Sequence, residues 1–96
     1  MPSPRSFAPE LKALVGEQVV VDTKGPFVYI GVLTRLDSGT LLLSDVDVHD
    51  LRDSVSSVDR YLIDTLKHGV RVNRHSVRVL AREVVSISRL SDIVPY

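Results

Sequence analysis

Leu14-Val15-Gly16-Glu17-Gln18-Val19-Val20-Val21-Asp22-Thr23-Lys24-Gly25-Pro26-Phe27-Val28-Tyr29-Ile30-Gly31-Val32-Leu33-Thr34-Arg35-Leu36-Asp37 is the stretch on which the fold turns. It reads as a helix end, a glycine turn and two consecutive strands. β-Branched and aromatic residues dominate both strands, and Lys24-Gly25-Pro26 supplies turn chemistry between them. Upstream, Ser6 or Pro9 can open a short helix in which Leu11, Leu14 and Val15 form an apolar stripe that Gly16 stops. A segment this short persists only by docking on the sheet, because an isolated helix under about 12 residues is marginal in water. Residues 1–6, with Pro2 and Pro4, are expected to be a flexible arm.

Downstream the strands are expected over Gln18 to Thr23, Phe27 to Leu36 and Thr40 to Val46. Val19-Val20-Val21 and Leu41-Leu42-Leu43 are unbroken apolar runs where a strand with one wet face would alternate, so both faces of each should be covered. A helix can supply part of that cover, and a neighbouring subunit is the other candidate. From about residue 47 to 74 the pattern becomes helical: Ser54 or Ser56 can cap a helix whose Val55, Val58, Leu62 and Leu66 share one face, with Gly69 ending it. Strand character returns at Val77-Arg78-Val79-Leu80 and Val84-Val85-Ser86-Ile87, with Ala81-Arg82-Glu83 as a tight reversal. Val70-Arg71-Val72 either extends the fourth strand or forms a short ladder of its own, and the tail at 91–96 is either docked or frayed. Five short strands of this kind are best buried as a small, strongly bent, partly open barrel of the SH3-like class, with an N-terminal helix and a helical insert.

The 96 residues are 44% apolar and 25% charged, which suits one domain spanning 1–96. Twelve basic residues balance twelve acidic ones, so no global field draws the chain to nucleic acid or to a membrane, and any RNA contact must be local. The absence of cysteine excludes disulfides, thiolate metal sites and thiol nucleophiles. There is no apolar run of the roughly 18 residues a membrane helix needs, and the N-terminus lacks a secretory h-region, so a cytoplasmic location is the default expectation.

The order and spacing resemble those of the Sm and Sm-like (LSm) family. Gly16 and Gly31 match the glycines after the first helix and in the second strand, Tyr29 falls where that family prefers an aromatic, and Asp37 follows Gly31 by six residues, as the family's strand-closing aspartate does. Thr40-Leu41-Leu42-Leu43-Ser44-Asp45 looks like its third strand, and residues Val77 through Ile87 are similar to its second motif. The resemblance implies a non-enzymatic subunit of a homo-oligomeric ring, with no cofactor, that binds single-stranded RNA at the pore or rim. Its contact positions carry over to Asp37, Ser38, Gly39, Thr40, Arg78, Leu80, Ala81 and Arg82.

The departures fall on that chemistry. In the family a uridine base stacks on a loop side chain, bonds an asparagine and meets an arginine. Here the loop is Ser38-Gly39-Thr40, one residue shorter and without an aromatic, while Thr40 replaces the asparagine and Leu80-Ala81 replaces Arg-Gly. A base stack is worth about 1–3 kcal/mol. Arg78 and Arg82 are the nearest basic substitutes. The alternative reading is an oligomeric structural module that has lost the uridine pocket and docks a protein partner through its inserted helix.

Among other chemistry-bearing residues, His49, His68 and His75 are spaced too irregularly for a local metal site and read as surface histidines. Asp45, Asp47, Asp50 and Asp53 form an acidic series in which strand alternation puts Asp45 and Asp47 on one face; a solvated face is favoured over a divalent-cation site. Arg71, Arg74, His75, Arg78 and Arg82 either neutralise those acids across paired strands or contact phosphate. No nucleophile elbow or phosphate-cradling glycine loop is present, which leaves catalysis without support.

Overall fold

The computed structural model describes residues 9–53 and 57–95. The elements are α1 (Pro9–Lys12), β1 (Gln18–Thr23), β2 (Phe27–Asp37), β3 (Thr40–Asp50), α2 (Val58–His68), β4 (Arg74–Leu80) and β5 (Val84–Arg89), with short 3-10 turns at Leu51–Asp53, Ala81–Glu83 and Leu90–Asp92. All five strands form one antiparallel sheet in the order β4-β3-β2-β1-β5. The expected five-stranded open barrel is therefore what forms: β4 and β5 are joined by three residues yet occupy opposite edges, so the sheet bends through nearly a full circuit without pairing them.

The bend has a local cause. Ile30 pairs with Asp47 and Val32 with Ser44, so Asp45 and Val46 together face Gly31 in a β-bulge. Asp45 takes the left-handed φ of 50° that this requires. Gly31 permits the close approach, since a Cβ there would stand 2.9 Å from the Ser44 carbonyl oxygen and 3.0 Å from Val46 Cγ2. A second offset leaves Thr34 unpaired between Leu33 and Arg35, and its Oγ1 donates to the Leu42 carbonyl at 3.0 Å. The bulge also overturns the expected alternation of the aspartates: Asp45 is exposed, whereas Val46 and Asp47 are both buried.

Two apolar clusters result. Val19, Val21, Leu33, Leu41, Leu43, Val46 and Val79 fill the inside of the bend, with Leu14 above them. Val20, Val28, Ile30 and Leu90 form the second on the opposite face, beneath Val58, Tyr61, Leu62 and Leu66 of α2 and beside Val70 and Ile93. The second face of Val19-Val20-Val21 is thus covered within the chain, by α2 and the C-terminal segment. In the β3 run Leu41 and Leu43 are buried and Leu42 is half-buried on the outer face.

Several boundaries differ from expectation. Ser6, Ser54, Val55 and Ser56 lie outside the described residues, as do the arm at 1–6 and Tyr96. The observed cap of α2 is Ser57, whose side chain accepts from the Arg60 amide at 3.2 Å, and Gly69 ends the helix with φ 89° while donating to the Thr65 carbonyl. α1 stops at Lys12, after which Leu14 and Val15 donate to the carbonyls three residues back; this tightening buries Leu14 and turns Val15 to solvent. β3 runs on to Asp50, β4 begins at Arg74 and β5 reaches Arg89. Residues 70–72 form neither a strand extension nor a ladder, and in the tail Ile93 packs on the second cluster while Val94 is exposed.

Candidate nucleic-acid interface

Asp37 pairs with Thr40 to close a hairpin through Ser38 and Gly39, and Gly39 adopts φ 81°, open to glycine at no steric cost. Thr40 in turn pairs with Leu80, and the Ala81 amide donates to the Gly39 carbonyl at 2.9 Å. On the other side the Lys24 amide donates to the Glu83 carbonyl at 2.9 Å, so the 3-10 turn between β4 and β5 is pinned by two hairpin turns at once. These contacts bring residues 37–40 and 78–82, read from the sequence as one site, onto one end of the barrel.

The side chains there differ in what they offer. Arg78 Nη1 donates to Asp37 Oδ2 at 3.2 Å, and Arg35 Nε donates to the same oxygen at 3.1 Å. Leu80 is exposed, as is Ser38, and Arg82 projects without an ion-pair partner among the described residues. Residues 37–40 and 78–82 include no aromatic. The surface presents guanidinium N–H donors and backbone, which suits phosphate oxygens better than base edges. Arg35 is the participant that sequence reading missed; its position two residues before Asp37, across one strand from Arg78, is the signal that finds it once register is known.

The other charges sort differently from expectation. The acidic series does not neutralise the basic one: Arg78 meets Asp37, while Asp50 is held by Arg52 at 2.7 Å. The hydrogen bonds from the Arg52 side chain and backbone hold the Asp50 carboxyl at about 2. Arg71, Arg74 and His75 are exposed. No group of three or more His, Cys, Asp or Glu among the described residues is placed to hold a metal ion.

A second feature had no counterpart in the sequence reading. The buried Asp47 carboxylate accepts from Tyr61 Oη at 2.6 Å and from Asn73 Nδ2 at 3.0 Å. Asn73 also pairs with the β3 edge, its Oδ1 accepting from the Val48 amide at 3.0 Å and its Nδ2 donating to the Val48 carbonyl at 3.1 Å, as a further residue of β4 would. His49 stacks on Tyr61 with centroids 3.9 Å apart and rings 12° from parallel, and its Nε2 is buried without a partner. Burial, reinforced by the hydrogen bond to Asp47 and its negative charge, pushes the Tyr61 phenol well above its ordinary range. This network ties α2 to β3 and floors a cleft of about 550 Å³ bordered by His68, Arg71 and Val72. Both His49 and His68 line it; of these histidines read as surface residues, His68 is exposed and His49 is half-buried.

No protein-family model and no curated protein matches the sequence. Solved structures do. The Sm protein of Pyrococcus abyssii, determined in complex with a uridine heptamer, is 16% identical over 86% of this chain and 99% of its own, with a TM-score of 0.58. A heptameric archaeal Sm protein is 21% identical, covering 92% of this chain and all of that one, with a TM-score of 0.54. A chain in the crystal structure of the NatC complex bound to CoA is 22% identical, covering 85% of this chain and 86% of that one, also with a TM-score of 0.54. The chain has a divergent Sm-like fold, in agreement with the resemblance read from Gly16, Gly31 and Asp37.

Proposed function

We propose that this chain is a non-enzymatic ring-forming subunit, completing its sheet by adding β4 of one copy to β5 of the next and carrying single-stranded RNA on the surface made by residues 37–40 and 78–82. The observation that carries the reading is the pair of open edges. Among the described residues β4 is bonded only to β3 and β5 only to β1, so each leaves a row of backbone N–H and C=O groups without strand partners there. Joining them head to tail is a heterologous contact, which closes into a ring when the rotation per subunit divides a full turn. The likeness to a heptameric archaeal Sm protein and to one solved with a uridine heptamer supports both halves of the proposal.

Light scattering or native mass spectrometry tests the assembly: a closed oligomer of one defined size is expected, and a stable monomer overturns the ring. Titration with uridine-rich and adenine-rich oligomers tests the RNA half. Because the site holds arginines and no aromatic or amide, the expected binding is salt-sensitive with little base preference. No affinity at low salt removes that half.

A second reading is favoured by the likeness to a chain of the NatC complex, together with the balanced net charge: a structural module whose open edge or α2 docks a different protein. A defined oligomer that binds no RNA is its expected signature.

A further inference from the structure

We propose that Arg35 and Arg78 form a phosphate clamp on the outer face of β2, β3 and β4, with Asp37 as the residue that positions both guanidiniums and Leu42 as the apolar floor between them. This rests on the RNA reading above and names the group of the RNA that the site grips. Arg35 pairs with Leu42 on one side of β3, and Leu42 pairs with Arg78 on the other. The two arginines therefore stand on one row of the sheet, about 10 Å apart at the backbone. Their side chains close that distance by converging on one atom, Oδ2 of Asp37, at 3.1 and 3.2 Å.

That convergence is the geometry a phosphate needs. A guanidinium carries five N–H donors in a rigid fork. Each arginine commits one nitrogen to Asp37, leaving the rest of both forks for a second anion. Their side chains are 56% and 52% exposed, so an incoming phosphate meets them directly. Two positive charges against one carboxylate leave the row net positive. Exposed ion pairs are weak, so Asp37 orients the arginines without competing strongly for them. Leu42, half-buried, stands between them on the same row. Nothing on this row reads a base edge, so the ligand is the sugar-phosphate backbone of a single strand.

The test is the salt dependence of RNA binding by the full chain. Each phosphate contact on a single strand contributes about −0.7 to the slope of log affinity against log salt. Arg35→Gln should lower affinity about tenfold at low salt and reduce the slope by about 0.7, equally for uridine-rich and adenine-rich oligomers. Arg35→Lys should keep the slope, because the charge remains, while losing affinity with the fork. Asp37→Asn makes the surface more positive yet should weaken binding; tighter binding overturns the positioning role. If the parent binds RNA and Arg35→Gln changes neither slope nor affinity, the clamp is overturned and the RNA reading stands. If the parent binds no RNA, that reading fails, and the clamp is decided by titrating inorganic pyrophosphate against the arginine Nε–H signals in NMR spectra. A saturable shift of both Arg35 and Arg78, lost in Arg35→Gln, supports a clamp for phosphate compounds; no shift overturns it.

Discussion

Replacing Tyr61 by Phe removes one hydroxyl and tests whether a buried carboxylate holds α2 to the barrel. Asp47 is 8% exposed and has no cationic partner among the described residues; it relies on Tyr61 Oη at 2.6 Å and Asn73 Nδ2 at 3.0 Å. A hydrogen bond to a charged acceptor contributes about 1.5–3 kcal/mol. The cleft beside Asp47 is large enough to admit water, which partly replaces the lost donor, so a cost near the lower limit, about 1.5 kcal/mol, is expected. The ring and its stack on His49 remain, so packing contributes little to the difference. For a domain of this size each kcal/mol shifts the thermal midpoint by about 4–8 °C, giving a fall of about 6–12 °C. Urea unfolding followed by circular dichroism at fixed protein concentration measures the free energy, with an unchanged m-value showing that the same surface is buried. The same substitution in an Asp47→Ala background should then cost almost nothing, because the acceptor is gone. A Tyr61→Phe variant as stable as the parent, or an equal cost in both backgrounds, would refute the assignment.

Asn73→Asp should be worse than Asn73→Ala, by about 1 kcal/mol or more, because an acceptor-only head is set against the Asp47 carboxylate and the Val48 carbonyl while the alanine merely leaves them unpaired; urea midpoints decide the order. Gly31→Ala should cost about 1–3 kcal/mol, since the added methyl meets backbone at 2.9 Å rather than a side chain that can swing away, and the same denaturation assay reads it. Asp50, with its carboxyl held at about 2, should stay ionised through pH 3; its contribution to stability is present above the unfolded carboxylate value near 4 and disappears as pH falls through 2, and carbon-detected NMR titration gives the midpoint. Tyr61 works in the opposite direction: its phenol keeps its proton in the fold where the unfolded chain has lost it, so stability should fall as pH rises above about 10, with its phenolate absorbance appearing only on unfolding.

The strands were legible because their signals are local. β-Branched runs at 18–23, 27–36, 77–80 and 84–87, with Gly39 and Ala81-Arg82-Glu83 between them, identify their own elements without reference to the rest of the chain. The bulge at Asp45 was not legible, because nothing in Ser44-Asp45-Val46 shows that two residues will face Gly31, and one such offset exchanges inside for outside. That exchange is why Asp47 left the acidic series and became the anchor of α2. Asn73 was invisible for a related reason: an amide that completes a ladder through its side chain resembles any polar loop residue until the register is known. Arg35 likewise gained meaning only through the two pairings that align it with Leu42 and Arg78.

Those offsets also change what supports assembly. Fully apolar strands implied cover from outside the sheet, with a neighbouring subunit as one candidate; α2, Leu90 and Ile93 supply that cover for Val20, Val28 and Ile30, so that face no longer asks for a partner, while Leu42 of the β3 run stays half-buried. The edges do, and the two are unlike. β4 carries Arg74, His75 and Arg78, the charged side chains that discourage stray strand pairing. β5 reads Val84-Val85-Ser86-Ile87-Ser88, uncharged until Arg89, with Val85 65% exposed. A bare edge of that composition invites indiscriminate pairing unless a specific strand occupies it, and soluble chains protect such edges or fill them. β4, seven residues against the six of β5, is a strand of matching length present in every copy of the chain. Placing lysine at Val85, which is exposed where Ile87 packs on the inner cluster, should therefore separate the two roles of the edge: an obligate interface loses its assembled mass, whereas an edge exposed by default keeps its mass and gains solubility.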